Sequence, residues 1–127
     1  MLGNSTATST FSVRDIPEAK TFYGDLLGIK VTEEYEGRIL RLHIAGGMEV
    51  TVYGKDDHTP ASFTVLTFTV DDLPGLVDAL TERGVAFQRP DGLELDDRAI
   101  HHAPGHDAAW FSDPSGNTLS LTQVTDS

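Results

Sequence analysis

The sequence predicts an α+β chain of two tandem βαβββ modules, and three observations carry that prediction. Stretches of alternating apolar and polar residues recur along the chain, the period of half-buried strands. Two helix starts are each announced by Asp, an apolar residue and Pro, at Asp15-Ile16-Pro17 and Asp72-Leu73-Pro74. Those starts sit in a repeated phrase: Phe11-Ser12-Val13-Arg14-Asp15-Ile16-Pro17 returns 57 positions later as Phe68-Thr69-Val70-Asp71-Asp72-Leu73-Pro74. Gly28-Ile29-Lys30-Val31 is echoed in turn by Gly84-Val85-Ala86-Phe87. Such self-similarity marks a duplicated supersecondary unit.

The elements follow in order. Residues 1–7 are small and polar and are expected to be a flexible N-terminus. The first module spans 8–54. From Thr8, the side chains of Ser9, Phe11 and Val13 alternate with Thr8, Thr10 and Ser12, which predicts a strand. Asp15 caps a helix that has Pro in its first turn and Glu18 at the third position. Ala19, Phe22, Tyr23, Leu26 and Leu27 give it an apolar face, with Phe22 and Tyr23 assigned to the core, and Gly28 closes it. Strands are predicted at Lys30–Tyr35, at Arg38–Ile44 after a Glu36-Gly37 turn, and at Met48–Tyr53 after Gly46-Gly47. Gly54 to Ala61 is polar, contains Pro60 and reads as a linker. The second module spans 62–123. It opens with a strand at Phe63–Val70 and a helix from Asp72 to Gly84, with Leu76, Val77 and Leu80 on one side. Arg89 to Pro104 is expected to be a long irregular stretch, of the kind that often carries function. A strand at Asp107–Ser112, an Asp113-Pro114-Ser115-Gly116 turn and a strand at Asn117–Thr122 complete it.

Composition narrows the function classes. At 127 residues the chain has the size of one ordinary domain, and 39% hydrophobic with 23% charged residues is a globular balance. Nine basic residues against twenty acidic ones give a formal charge of −11. That field disfavours nucleic acid and anionic membranes as partners and suits a neutral or cationic small ligand. There is no cysteine, so disulfides, thiolate catalysis and cysteine-bound metals are excluded. With no basic–apolar leader in the first ten residues and no apolar run of about twenty, the expectation is a soluble, cytoplasmic protein.

Two phrases carry a resemblance. V-R-D-I-P-E-A-K-T-F-Y-G-D-L-L-G, from Val13, and D-P-S-G-N, from Asp113, in a tandem βαβββ frame make the chain from Thr8 to Thr122 similar to the vicinal oxygen chelate superfamily. That superfamily holds glyoxalase I, extradiol dioxygenases and bleomycin-resistance proteins. The resemblance implies cupped mixed sheets with the helices outside, a cavity enclosed by a pair of modules, and a homodimer. Metal enzymes of the superfamily hold a divalent cation with four inward side chains from the first and last strands of each module. Carried over, those places fall at Thr8, Val65 and Ser120, and at either Thr51 or Glu49. Val65 has no donor atom, and neutral hydroxyls are poor ligands for a transition metal. No metal and no cofactor are therefore expected.

If alternation holds, the inward face carries Thr8, Thr10, Ser12, Arg41, His43, Glu49, Thr51, Tyr53, Val65, Thr67, Thr69, Thr118 and Ser120. The candidate ligand-binding residues are Arg41, His43, Glu49, Thr51, Tyr53, Trp110, Ser120, His101 and His106; no catalytic residue is assigned. Arg41, His43 and Glu49 could orient a carboxylate or carbonyl, or Arg41 and Glu49 could form an ordinary cross-strand ion pair. His101, His102 and His106 lie close in sequence without a zinc motif's spacing, and read as a loop at the cup's mouth. Because neighbours alternate, either Trp110 or Phe111 faces the cavity, where an aromatic wall would stack a planar guest. The expected function is metal-free binding of a small aromatic or cationic molecule, for resistance or sequestration. The alternatives are a glyoxalase-type lyase, isomerase or dioxygenase, and a partner-binding module.

Overall fold

The computed structural model describes residues 1–126, in two compact units, Met1–Thr59 and Pro60 onward. The first unit contains β1 (Ser9–Val13), α1 (Ile16–Lys20), β2 (Lys30–Glu34), β3 (Ile39–Ile44) and β4 (Met48–Gly54). The second contains β5 (Thr64–Thr69), α2 (Leu73–Glu82), β6 (His101–Ala103), β7 (His106–Ser112) and β8 (Thr118–Val124). The two units share one topology. Their four-stranded sheets run β1-β4-β3-β2 and β5-β8-β7-β6, with the first and last strands of each parallel and the other pairs antiparallel. The fold is α+β with two mixed sheets, as the repeat predicts.

In the first unit, the capping signal at Asp15 is realised as a hydrogen bond from the Glu18 N–H to the Asp15 carboxylate at 3.2 Å. The helix does not run on in α geometry. From Thr21 to Leu26 it widens into a π-helical turn, and the buried Phe22 and Tyr23 rings lie within it, edge to face at 5.1 Å. Phe11, Val13, Leu40, Leu42, Val50 and Val52 form the buried face of the sheet, on the parity that alternation predicts.

In the second unit, Asp72 caps α2 through the Gly75 N–H at 3.2 Å. Leu73, Val77 and Leu80 of the helix are buried, as are Leu66, Ala109, Phe111, Leu119 and Leu121 of the sheet. Phe111 is fully buried, whereas Trp110 is half-buried on the opposite face. The structure departs from expectation after α2. Val85 to Phe87, the echo of β2, forms no strand; it contributes a single bridge from Phe87 to Phe111, and Gln88 N–H bonds to the Trp110 carbonyl at 2.8 Å. The pairing strand comes later, as β6, inside the stretch expected to be irregular. Pro90, two residues beyond Gln88, has no N–H for a ladder, while Pro104-Gly105, with Gly105 at φ +85°, closes a two-residue hairpin between Ala103 and His106. His101 and His102 therefore lie on a strand, not on a loop, and His106 begins the next one.

Candidate functional site

Each sheet has one face built from apolar side chains and one that carries the polar candidates. On the polar face of the first sheet, the β3–β4 register sets Arg41 opposite Thr51 and His43 opposite Glu49. Thr10 and Ser12 of β1 lie opposite Thr51 and Tyr53. The period-two argument thus brings Arg41, His43, Glu49 and Thr51 together. Arg41 meets the Glu49 that sequence offered as its ion-pair partner, and a second, closer carboxylate, Glu34. Arg41 Nε donates to Glu34 Oε2 at 2.5 Å, and Nη2 donates to Oε1 at 3.4 Å. Arg41 Nη1 donates to Thr51 Oγ1 at 3.1 Å, and Glu49 Oε2 stands 3.6 Å away. The Arg41 hydrogen bond holds the Glu34 carboxyl below its ordinary range, and Glu34 raises Arg41 in return. His43 Nε2 lies 3.0 Å from Thr32 Oγ1, with its Nδ1 3.7 Å from Glu49. Sequence reasoning missed Glu34, and also His58, whose Nδ1 is 2.7 Å from Ser12 Oγ. This face is a network in which the guanidinium is already engaged by two carboxylates and a hydroxyl.

The polar face of the second sheet has another chemistry. Trp110 lies opposite Ser120, and Ser120 lies opposite Thr67. The Ser120 side chain is buried, 4% exposed, and shares a hydrogen bond of 2.6 Å with the Thr67 hydroxyl. His101 is set opposite Ala108, which puts it on the Trp110 face, with ring centroids 6.3 Å apart and planes inclined by 40°. His101 Nδ1 is 3.0 Å from the Glu94 carbonyl oxygen. Gln88 reaches the same sheet by donating to Ser112 Oγ. His106 shares the Trp110 parity but lies exposed four residues back along β7, roughly 13 Å at the usual rise, and does not join the cluster.

His102 points to the other face. It bridges two carboxylates, with Nε2 2.8 Å from Asp96 Oδ2 and Nδ1 3.0 Å from Asp107 Oδ1. Hydrogen bonds donated to the Asp96 and Asp107 carboxylates raise His102 above its ordinary range. Burial would raise Asp96, but the hydrogen bonds from His102 and from the Ile100 and Arg98 N–H groups outweigh it, and Asp96 is lowered. Glu94, Leu95, Asp96, His101 and His102 line a cleft of about 320 Å³ beside β6.

The register also resolves which residue of β4 corresponds to Ser120. Thr51 pairs with Thr10 as Ser120 pairs with Thr67, so the equivalent place is Thr51, and Glu49 lies two residues away. The donors at the four carried-over places do not suit a divalent cation. Val65 supplies none and lies at a β-bulge, Ser120 is bonded to Thr67, and Thr51 accepts from a guanidinium that would repel a metal ion. Thr8 precedes β1 and is exposed. Among the described residues, no three His, Asp or Glu side chains converge as a metal-binding group. No helix among them is long and apolar enough to cross a membrane.

Comparison with known proteins decides the family. The model of the Glyoxalase/Bleomycin resistance protein/Dioxygenase superfamily matches residues 6–121. The chain belongs to that superfamily. Among solved structures, it is similar to TnmS3, an antibiotic binding protein from Streptomyces sp. CB03234, at 27% identity and TM-score 0.70, covering 96% of this chain and 98% of that one. A glyoxalase/dioxygenase from Nostoc punctiforme matches at 15% identity and TM-score 0.71, over 99% and 96% of the two chains. A glyoxalase/bleomycin resistance protein/dioxygenase from Alicyclobacillus acidocaldarius matches at 22% identity and TM-score 0.69, over 97% and 93%. Those two likenesses show the superfamily fold. No curated protein matches the chain.

Proposed function

We propose that this superfamily member is a metal-independent binder of a small planar aromatic molecule, preferably cationic, acting in resistance or sequestration. The observation that carries the reading is that Trp110 stands half-buried on the polar face of β7 while its neighbour Phe111 is fully buried on the other side. A large aromatic ring on a face that also carries hydroxyls and an imidazole offers stacking area, worth roughly 0.5–1.5 kcal/mol beyond simple burial. Similarity to the antibiotic binding protein TnmS3 supports a binding role, and the −11 charge supports a cationic guest. The polar face of the first sheet, with Glu34 and Glu49 against one guanidinium, supports the same charge preference. The reading keeps Arg41, His43, Glu49, Thr51 and Tyr53 as candidate ligand-binding residues of the first sheet in their own right, and makes the protein a cytoplasmic homodimer with no nucleic-acid or membrane partner.

The test uses proflavine, a planar cation, with Trp110 as the reporter, since it is the chain's single tryptophan. Saturable quenching is expected, and Trp110→Leu, followed by calorimetry, should weaken binding about two- to tenfold. Metal analysis of untagged protein should give well under one divalent ion per chain, and EDTA should leave the melting curve unchanged. One tightly held metal per chain, or turnover of the methylglyoxal–glutathione adduct that is lost in Glu49→Gln, would replace binding with the lyase reading.

A further inference from the structure

We propose that His101 selects the guest by accepting a hydrogen bond at Nε2 from an O–H or N–H group on the rim of a planar aromatic stacked on Trp110. The ligand class is then phenols and N–H heteroaromatics, in preference to bare arenes and aryl ethers; the inference rests on the binding role proposed for Trp110. Its basis is the tautomer. His101 Nδ1 lies 3.0 Å from the Glu94 carbonyl oxygen, and a carbonyl can only accept, so Nδ1 must carry the proton. In the neutral ring the lone pair is then on Nε2, which has no hydrogen-bond partner among the described residues.

The carbonyl that fixes this tautomer lies two residues before a built turn. Asp96 N–H donates to the Ile100 carbonyl at 2.9 Å, and Asp96 Oδ1 accepts from the Arg98 and Ile100 N–H groups at 2.8 and 3.0 Å. His102, the neighbour of His101 on β6, ties that turn to β7 through Asp96 and Asp107. The two adjacent histidines thus divide the work by strand parity. His102 braces the turn from one face, and His101 presents an acceptor on the other, beside the indole. An imidazole inclined by 40° to the indole offers its in-plane lone pair to the rim of a stacked guest. The indole N–H of Trp110, also without a hydrogen-bond partner among the described residues, supplies a donor in the same place.

Two measurements on the full chain test this. Long-range ¹H–¹⁵N spectra at pH 8 should show His101 protonated at Nδ1, with Nε2 shifting when 2-naphthol is added and unmoved by 2-methoxynaphthalene; the reverse tautomer would overturn the proposal. Calorimetry should show wild type preferring 2-naphthol over 2-methoxynaphthalene by about three- to tenfold, a preference abolished in His101→Phe, whereas Trp110→Leu weakens both ligands alike. Equal binding of the two compounds by wild type would sink the role of His101 and leave the aromatic-guest reading standing. Binding of neither would sink that reading and this one with it.

Discussion

Removing the Asp113 carboxylate should destabilise the second unit far more than its position in a turn suggests. Asp113 is only 4% exposed, and its Oδ1 accepts from the N–H groups of Ser115 and Asn117 at 3.0 and 2.9 Å, while Oδ2 accepts from Asn117 Nδ2 at 3.0 Å. The turn is closed by the Asp113 N–H to the Asn117 carbonyl at 2.9 Å, and it sets the β7–β8 register that puts Trp110 opposite Ser120. Asp113→Ala leaves two buried N–H donors without that acceptor, at about 1–3 kcal/mol each, for a total of about 2–6 kcal/mol. Asp113→Asn keeps an acceptor at Oδ1 but sets one amide against another at Asn117, and should cost about 1–2 kcal/mol. Urea unfolding followed by Trp110 emission reports this unit selectively, because the chain has one tryptophan. With a slope of about 2 kcal/mol per molar, the alanine variant should lose roughly 1–3 M in midpoint. An alanine variant within about 1 kcal/mol of wild type, or an asparagine variant as damaged as alanine, would refute the argument.

The two aromatic neighbours on β7 should part company on truncation. Phe111→Ala should cost about 3–5 kcal/mol in urea unfolding because its site is fully buried, whereas Trp110→Ala, read by circular dichroism, should cost far less. Stability should depend on pH through the His102 brace. The raised His102 contributes fully below its ordinary value of 6.5 and loses that contribution as pH climbs through its folded value. The lowered Asp96 contributes above its ordinary value of 3.8 and fails only as pH falls through a still lower one. The melting-temperature advantage of wild type over His102→Gln should therefore shrink between pH 5 and pH 8, and a constant or growing advantage would contradict it. On the first sheet, Glu34→Gln should move the Arg41 Nε resonance more than Glu49→Gln does, since Nε bonds to Glu34. The opposite order would show that the cross-strand pair dominates.

Much of this was readable because period two and capping are local. The faces of β3 and β4 and the caps at Asp15 and Asp72 all follow from residues within a few positions of one another. Three features were not local. Ala108, Ala109, Trp110 and Phe111 are all apolar, so alternation gives their parity without saying which side is the core; cross-strand Leu119 and Ser120 decide it. Glu34 meets Arg41 diagonally across a register set by the β2–β3 turn. That turn holds Tyr35, Glu36 and Gly37 at positive φ, and two of those residues advertise no such conformation. The displaced β6 is hidden because the repeat carries as far as the Gly84-Val85-Ala86-Phe87 echo, which points to a strand there, and gives no signal for His101–Ala103. The Pro104-Gly105 hairpin signal falls at the very end of the stretch expected to be irregular, with only three residues of strand before it.

The duplication also gives a physical reason why the two polar faces should serve different ends. Equivalent register places hold hydroxyls in both sheets, Thr10 with Thr51 and Thr67 with Ser120. A buried carboxylate at such a place would need a counter-charge to offset its desolvation, and in a metal enzyme the cation supplies it. Two hydroxyls need none. Thr67 and Ser120 satisfy each other at 2.6 Å, and the nearby Trp110 and His101 present ring area and hydrogen-bonding atoms that desolvate cheaply. The Arg41 network, by contrast, would have to shed water from three charged groups before anything could lie on it. A neutral or weakly cationic aromatic is therefore better accommodated by the second sheet than by the first, which is why the discriminating substitutions are at Trp110 and His101.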